Sequence, residues 1–404
     1  MKKRPLDIAL AELDRQHLIR RRTTIDGFAE PGNRLVTTAG GRTLVDFSSN
    51  DYLGLAHHPA VAAAMSECAS RSGAGSGASH LVTGHGIEHE RLEEELAAFT
   101  GRERALLFST GYMANIGVIA ALADRGESVL LDRLSHASII DGALLSGARF
   151  KRYAHADAGA VERILNESAD ESVLLATDGV FSMDGDIAPL ARLAKAARAH
   201  DAWFVVDDAH GIGVLGSNGR GSTEELSPED VPVLVGTLGK AFGSFGAFVA
   251  GSRDLIEYLI QRARSYIYTT ALPQPVAAAT RKALEIAQRE PWRRERVLAL
   301  TARFRKSARA AQLRLLDSNT PIQPVVLGSV DAALRTQAEL FEAGFRVVAI
   351  RAPTVPKGSE RLRVTLSAAH TEEQVDTLVE KLARIQAARA ARERSDIGAG
   401  LPNE

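Results

Sequence analysis

The chain has 404 residues, with 49 Lys and Arg against 50 Asp and Glu, 45% hydrophobic residues and 25% charged ones. A chain this long buries a core without staples, and its composition excludes a disordered, collagenous or disulfide-stapled protein. A net charge of −1 leaves no global excess to hold a phosphate backbone, so nucleic acid is not an expected partner. The single cysteine, Cys68, excludes an internal disulfide and a Cys-rich zinc centre, and fits a reducing, cytoplasmic setting.

Met1-Lys2-Lys3-Arg4 is basic, but Asp7, Glu12 and Asp14 interrupt the apolar stretch an export signal would need. The apolar run Ile116–Ala123 ends at Asp124, too short for a bilayer, so no membrane partner is expected. Between 105 and 250 short apolar runs recur at Ala105–Phe108, Val129–Leu131, Val173–Ala176, Trp203–Val206, Val233–Val235 and Ala247–Ala250. Helical patterns at Tyr112–Ala123 and Pro189–His200 fill two of the gaps, the second with Pro in its first turn. This alternation predicts an α/β domain with a mainly parallel sheet.

A helical stretch, Pro275–Gln288, leads into a smaller α+β unit. Its predicted strands are Pro324–Leu327, Phe345–Ile350 and Arg361–Ser367, and a helix over Asp331–Ala343 stops at Gly344. A last helix runs from Thr371 to about Ala390, with Thr371 and Gln374 at capping-box spacing and an Ala/Arg-rich tail expected to fray after about Ala387. The expected division is an N-terminal arm (1–50), a large domain (51–285) and a small C-terminal domain (286–404).

Ligands of open α/β sheets bind beyond the carboxyl ends of the strands. There the sequence places Gly111 and Tyr112, then His136, Ser182, Asp207 with His210, and Thr237 with Lys240. The set suits a planar basic heterocycle carrying a phosphate and an aldehyde, namely pyridoxal 5′-phosphate (PLP). Lys240 lies among small residues and, partly desolvated, can form a Schiff base. Asp207, 33 residues earlier, is placed to keep a pyridine nitrogen protonated. Gly111 and Tyr112 open a helix, whose N–H groups suit a phosphate. Thr237 and Ser182 offer hydroxyls, His136 a ring to stack, and His210 a bond to the ring hydroxyl.

Other motifs fail on context. Gly211-Ile212-Gly213-Val214-Leu215-Gly216 matches a dinucleotide loop but runs into another loop, Ser217–Gly221, rather than a helix. His85-Gly86-Ile87-Glu88-His89 matches a zinc pattern, but the helix is expected from Ile87 and the sequence offers no evident third ligand, so no metal is expected. Gly73-Ala74-Gly75-Ser76-Gly77 lacks the Lys-Ser/Thr of a P-loop and reads as a bend lining a cavity.

Ser49-Asn50-Asp51-Tyr52-Leu53-Gly54, Gly75-Ser76-Gly77-Ala78-Ser79, Asp207-Asp208-Ala209-His210-Gly211 and Thr237-Leu238-Gly239-Lys240 together resemble the PLP-dependent α-oxoamine synthases. The resemblance spans about residues 5–388. It implies a fold type I PLP-dependent transferase working as a homodimer, with Lys240 carrying the cofactor and Asp207, His136, His210, Ser182, Thr237, Gly111 and Tyr112 around it. It also implies that Arg363 holds the amino-acid carboxylate and that Arg20, Asn50 and Thr354 contact substrate. His136 would touch substrate as well as cofactor, and the register at Arg20-Arg21-Arg22 stays open by one residue. Tyr268-Thr269-Thr270 would reach the neighbouring subunit's phosphate.

Within the family the similarity is greatest to members that condense L-alanine with a pimeloyl thioester, on CoA or acyl carrier protein, in biotin biosynthesis. Members using glycine, such as glycine C-acetyltransferase and 5-aminolevulinate synthase, are the nearest alternative. A non-catalytic partner subunit is the alternative of a different class, and Lys240 argues against it.

Overall fold

The period-two alternation of apolar side chains along the mid-chain runs decides the layering in the computed structural model, which describes residues 5–16, 18–20, 22–28, 34–38, 40–167 and 172–399. An N-terminal meander comprises β1 (Ile25–Phe28), β2 (Leu35–Thr38) and β3 (Thr43–Asp46). The central strands are β4 (Arg104–Phe108), β5 (Ser128–Asp132), β6 (Arg149–Tyr153), β7 (Val173–Asp178), β8 (Trp203–Asp207), β9 (Val233–Thr237) and β10 (Ala247–Gly251). They form a seven-stranded sheet in the order β4-β10-β9-β8-β7-β5-β6. β10 is antiparallel to both neighbours and the other pairs are parallel, so every other strand ends at the same edge.

On β8, Val205 faces one apolar cluster while Phe204 and Val206 face another. On β9, Val233 and Val235 point one way and Leu234 the other. Both sheet faces are therefore covered, as a parallel sheet requires. Helices α1 (Leu6–Arg15), α2 (Pro59–Ser72), α3 (Ile87–Thr100), α4 (Gly111–Leu122), α5 (Ala137–Ser146), α6 (Ala158–Glu167) and α7 (Leu190–Ala199) come from the first half of the chain. α8 (Arg253–Arg262), α9 (Arg264–Ile267), α10 (Gln274–Arg289), α11 (Trp292–Ala310), α12 (Val330–Glu342) and α13 (Glu372–Ala399) come from the second. Among the described residues no helix is long and apolar enough to cross a membrane.

β6 had no apolar run to announce it. Its sequence, Arg149-Phe150-Lys151-Arg152-Tyr153, is that of a charged edge strand, mostly exposed and paired on one side. The run Phe345–Ile350 is two strands, not one. β12 (Phe345–Arg346) pairs in parallel with β3, whereas β13 (Val348–Ile350) pairs with β14 (Arg361–Thr365), itself paired with β11 (Ile322–Val326). The meander is thus closed by a strand from the C-terminal part, in the order β1-β2-β3-β12. Thr371 and Gln374 form the reciprocal cap at the start of α13, and the helix continues to Ala399 rather than ending near Ala390.

Candidate active site

Five strand ends of the central sheet deliver side chains to one edge. α4 starts at Gly111, capped by Thr110, whose Oγ1 accepts from the Met113 N–H at 3.1 Å. A Cβ at Gly111 would meet nothing within 4 Å, so this N-terminus opens on free space. Tyr112 is exposed and its hydroxyl donates to the Asp141 carboxylate. His136 caps α5, its Nδ1 accepting from the Ser138 N–H at 3.3 Å and facing the Ser138 hydroxyl at 2.7 Å. The residue as a whole is exposed in the single chain.

Lys240 follows β9. Its side chain is half-buried, and burial of the amine pulls its pKa down to about 8. Asp207 opposes the shift and Arg363 adds to it, which places both charges around the amine. The Lys240 Nζ lies 2.9 Å from His210 Nε2, and His210 Nδ1 lies 2.5 Å from the Tyr52 hydroxyl. Burial first, then Lys240 and Arg363, hold His210 well below its ordinary pKa. Burial raises Tyr52 to about 12. With His210 neutral and Tyr52 protonated, a neutral Lys240 donates to Nε2, and Nδ1–H donates to the Tyr52 oxygen. The Tyr52 hydroxyl turns to Asn50 Oδ1 at 3.4 Å, which also accepts from Arg363 Nη1 at 3.1 Å. Arg363 is further fixed by the Ser182 carbonyl at 2.6 Å and Thr365 Oγ1 at 3.0 Å. One chain of contacts thereby joins Lys240, His210, Asn50 and Arg363, with Tyr52 of the Ser49–Gly54 motif as the link.

A second set surrounds Asp207, the last residue of β8. Its carboxylate accepts from the Ala209 N–H at 3.0 Å and from Asn115 Nδ2 at 2.6 Å. Beside it in register on β7, Asp178 accepts from the His136 N–H at 3.0 Å. Burial and the Asp207 charge raise Asp178 well above the carboxylate range. Asn115 was missed at the sequence level. Its signal is a lone amide inside the apolar helix Gly-Tyr-Met-Ala-Asn-Ile-Gly-Val-Ile-Ala-Ala-Leu, where it must find partners.

Other expected residues stand less centrally. The Thr237 hydroxyl donates to the Gly246 carbonyl at 3.1 Å, tying the turn before β10. Thr354 is exposed, on the loop whose Arg351 bonds the Ile19 carbonyl at 2.9 Å. Arg20 follows Ile19 and is exposed, Arg22 is likewise exposed, and Arg21 lies outside the described residues. Tyr268 is 71% exposed, its ring under the Arg264 guanidinium.

The glycines after β8, which mimic a dinucleotide loop in sequence, make room for a buried acid. A Cβ at Gly211 or Gly221 would fall 2.1 or 1.8 Å from the buried Asp208 carboxylate, which also accepts from Ser222 N and Oγ. Gly73, Gly75 and Gly77 meet nothing within 4 Å, consistent with an open bend. The third imidazole absent from the His85/His89 pattern is His80, whose Nδ1 is 2.8 Å from that of His85. His89 already accepts from the Gly86 N–H and bonds the Leu272 carbonyl, and His85 also faces Glu90.

Residues 42–382 match the family model of class I and II aminotransferases. The 8-amino-7-oxononanoate synthase of Methylococcus capsulatus is 58% identical over 377 residues, covering 93% of this chain and 96% of that protein. The solved 8-amino-7-oxononanoate synthase of Francisella tularensis superposes with a TM-score of 0.76 at 33% identity, covering 86% of this chain and 99% of that one. A serine palmitoyltransferase from S. paucimobilis, solved with bound PLP and myriocin, gives a TM-score of 0.89 at 30% identity, over 96% and 98% of the two chains.

The chain belongs to the class I and II aminotransferase family, on the fold type I scaffold. Within it the chain falls among the 8-amino-7-oxononanoate synthases, acyltransferases of biotin biosynthesis.

Proposed function

We propose that this chain binds PLP on Lys240 and condenses L-alanine with a pimeloyl thioester, releasing CO2 and the free thiol carrier and yielding 8-amino-7-oxononanoate. The observation that carries the reading is the crowded Lys240 amine, held near a pKa of about 8 and 2.9 Å from His210 at the sheet edge. The donor set fits the cofactor: a helix N-terminus opening on free space at Gly111 for the phosphate, a buried carboxylate at Asp207 for the ring nitrogen, and the exposed His136 for its face. When bound, PLP supplies an electron sink for a carbanion at the amino-acid Cα.

The chain's own residues do the rest. Lys240 is the covalent anchor and, once displaced, the base that takes the Cα proton and later returns one. His210 neighbours that amine and keeps its donors directed. Arg363, its Nε engaged by the Ser182 carbonyl, offers its guanidinium to the alanine carboxylate. Asn50 steadies Arg363, and the loop carrying Thr354 packs on the segment before Arg20, which supports a role for both near the acyl end.

A homodimer is part of the proposal. Tyr112, Phe245, Tyr268 and Leu81 are large apolar side chains left 44–71% exposed in the single chain, a load that favours a covering partner. The arm (1–50), large (51–285) and small (286–404) units remain the working division, with β3–β12 pairing as the clasp between the first and last. A cytoplasmic setting is favoured by the lone, buried Cys68. The pimeloyl group arrives on CoA or on acyl carrier protein. The test is CO2 release by purified, PLP-loaded protein offered L-alanine or glycine with pimeloyl or acetyl thioesters. A preference for glycine and acetyl-CoA would overturn the substrate assignment.

A further inference from the structure

A buried amide sits between the two groups expected to meet opposite parts of the cofactor. The Asn115 side chain is enclosed, and its Nδ2 lies 2.6 Å from Asp207 Oδ2 and 2.8 Å from Ser138 Oγ, while its Oδ1 has no partner. Ser138 Oγ in turn lies 2.7 Å from His136 Nδ1. Chemistry fixes the direction of every link. A carboxylate only accepts, so the Asn115 amide must present its NH2, and the second hydrogen then goes to Ser138. The Ser138 proton has to leave in another direction, and His136 Nδ1 is the acceptor within reach. His136 Nδ1, which also accepts from the Ser138 N–H, is thereby kept bare by the shorter of two donors, with its proton on Nε2.

We propose that Asn115 and Ser138 are positioning residues which couple Asp207 to the tautomer and orientation of His136. The inference rests on the PLP reading above and deepens it. An orphaned Oδ1 is the cost of this arrangement: turned the other way, the amide oxygen would face the Asp207 carboxylate and the NH2 would have no acceptor, so Asp207 holds the amide as it is. One further contact makes the couple specific. Asp178 holds the His136 N–H from the neighbouring strand, so the backbone is fixed independently of the ring. Burial, with Lys240 adding to it, lowers the pKa of the imidazole against the charges of Asp207 and Asp141.

The test compares Ser138→Ala, Ser138→Thr, Asn115→Leu and the double variant Asn115→Leu/Ser138→Ala with wild type, all PLP-loaded. Two quantities are read: the pH midpoint of the cofactor's visible band and the rate of PLP release on dialysis. Ser138→Ala removes a donor to neutral His136, so the imidazole gains charge more readily and the added positive charge lowers the midpoint by about half a unit or more. Asn115→Leu also displaces the midpoint, and both single variants release PLP faster. Ser138→Thr, which keeps the hydroxyl, titrates like wild type. The double variant shifts no further than the larger single change, because one chain has been cut twice. Unchanged midpoints and release in both single variants, or shifts that simply add, would overturn the coupling. Wild-type protein that takes up no PLP would instead overturn the reading on which it rests.

Discussion

Uptake of PLP by the apoenzyme should rise steeply between pH 7 and pH 9, with its midpoint near 8, and level off above about 9, because the reacting species is the neutral Lys240 amine. Its pKa of about 8, against 10.5 for an ordinary lysine, follows from burial. At pH 7 the neutral fraction is then roughly 9%, against roughly 0.03% for a solvated lysine, an advantage of about 300-fold in reactive amine. Asp207 pushes the other way, so Asp207→Asn should move the inflection below that of wild type. The assay is stopped-flow appearance of the visible band after mixing apoenzyme with PLP across pH 6–10. Rates are divided by those of a soluble alkoxyamine, which stays neutral across this range, to remove the titration of PLP itself. An inflection near 10 would refute the argument, as would an upward shift in Asp207→Asn.

Three other consequences can be measured separately. Arg363→Lys keeps the charge but loses the planar fork, so KM for L-alanine should rise about 10- to 100-fold with a smaller change in kcat; an unchanged KM would remove Arg363 from the carboxylate site. For His155, burial alone lowers the pKa, but hydrogen bonds to Asp132 and Asp186 override it and raise it to about 10. A raised folded-state pKa stabilises fully below the unfolded value near 6.5 and is lost as pH climbs through about 10. His155→Gln should therefore lower the urea midpoint at pH 6 clearly more than at pH 10, and an equal loss at both would contradict the pairing. Gly221→Ala places a Cβ 1.8 Å from Asp208 at a φ of +96°, so it should cost about 1–3 kcal/mol in thermal unfolding; a neutral result would mean the loop can reroute.

What could be read from the residues follows what each element buries. Strands enclosed on both faces, such as Val233-Leu234-Val235, are continuous apolar runs and stand out. β6 did not, because an edge strand is charged by need. Phe345–Ile350 read as one strand because a backbone that changes sheets at Val347 leaves no mark in an apolar pattern. The strand-end residues Lys240, Asp207, His136 and His210 were legible from order alone. The roles of Tyr52 and Asn115 were not, since their importance lies in whom they touch, and those partners are 158 and 92 residues away. The glycines of 211–221 were legible as an oddity but not as a cage for Asp208, because a buried carboxylate next to a site acid looks in sequence like a second site acid.

The most direct test of the account follows the carbon that is lost. With PLP-loaded protein and carboxyl-labelled L-alanine, labelled CO2 should appear only when a pimeloyl thioester is present, in step with free thiol and 8-amino-7-oxononanoate. Lys240→Ala should abolish all three. Label retained in the product, release without the thioester, or turnover surviving in Lys240→Ala would contradict it.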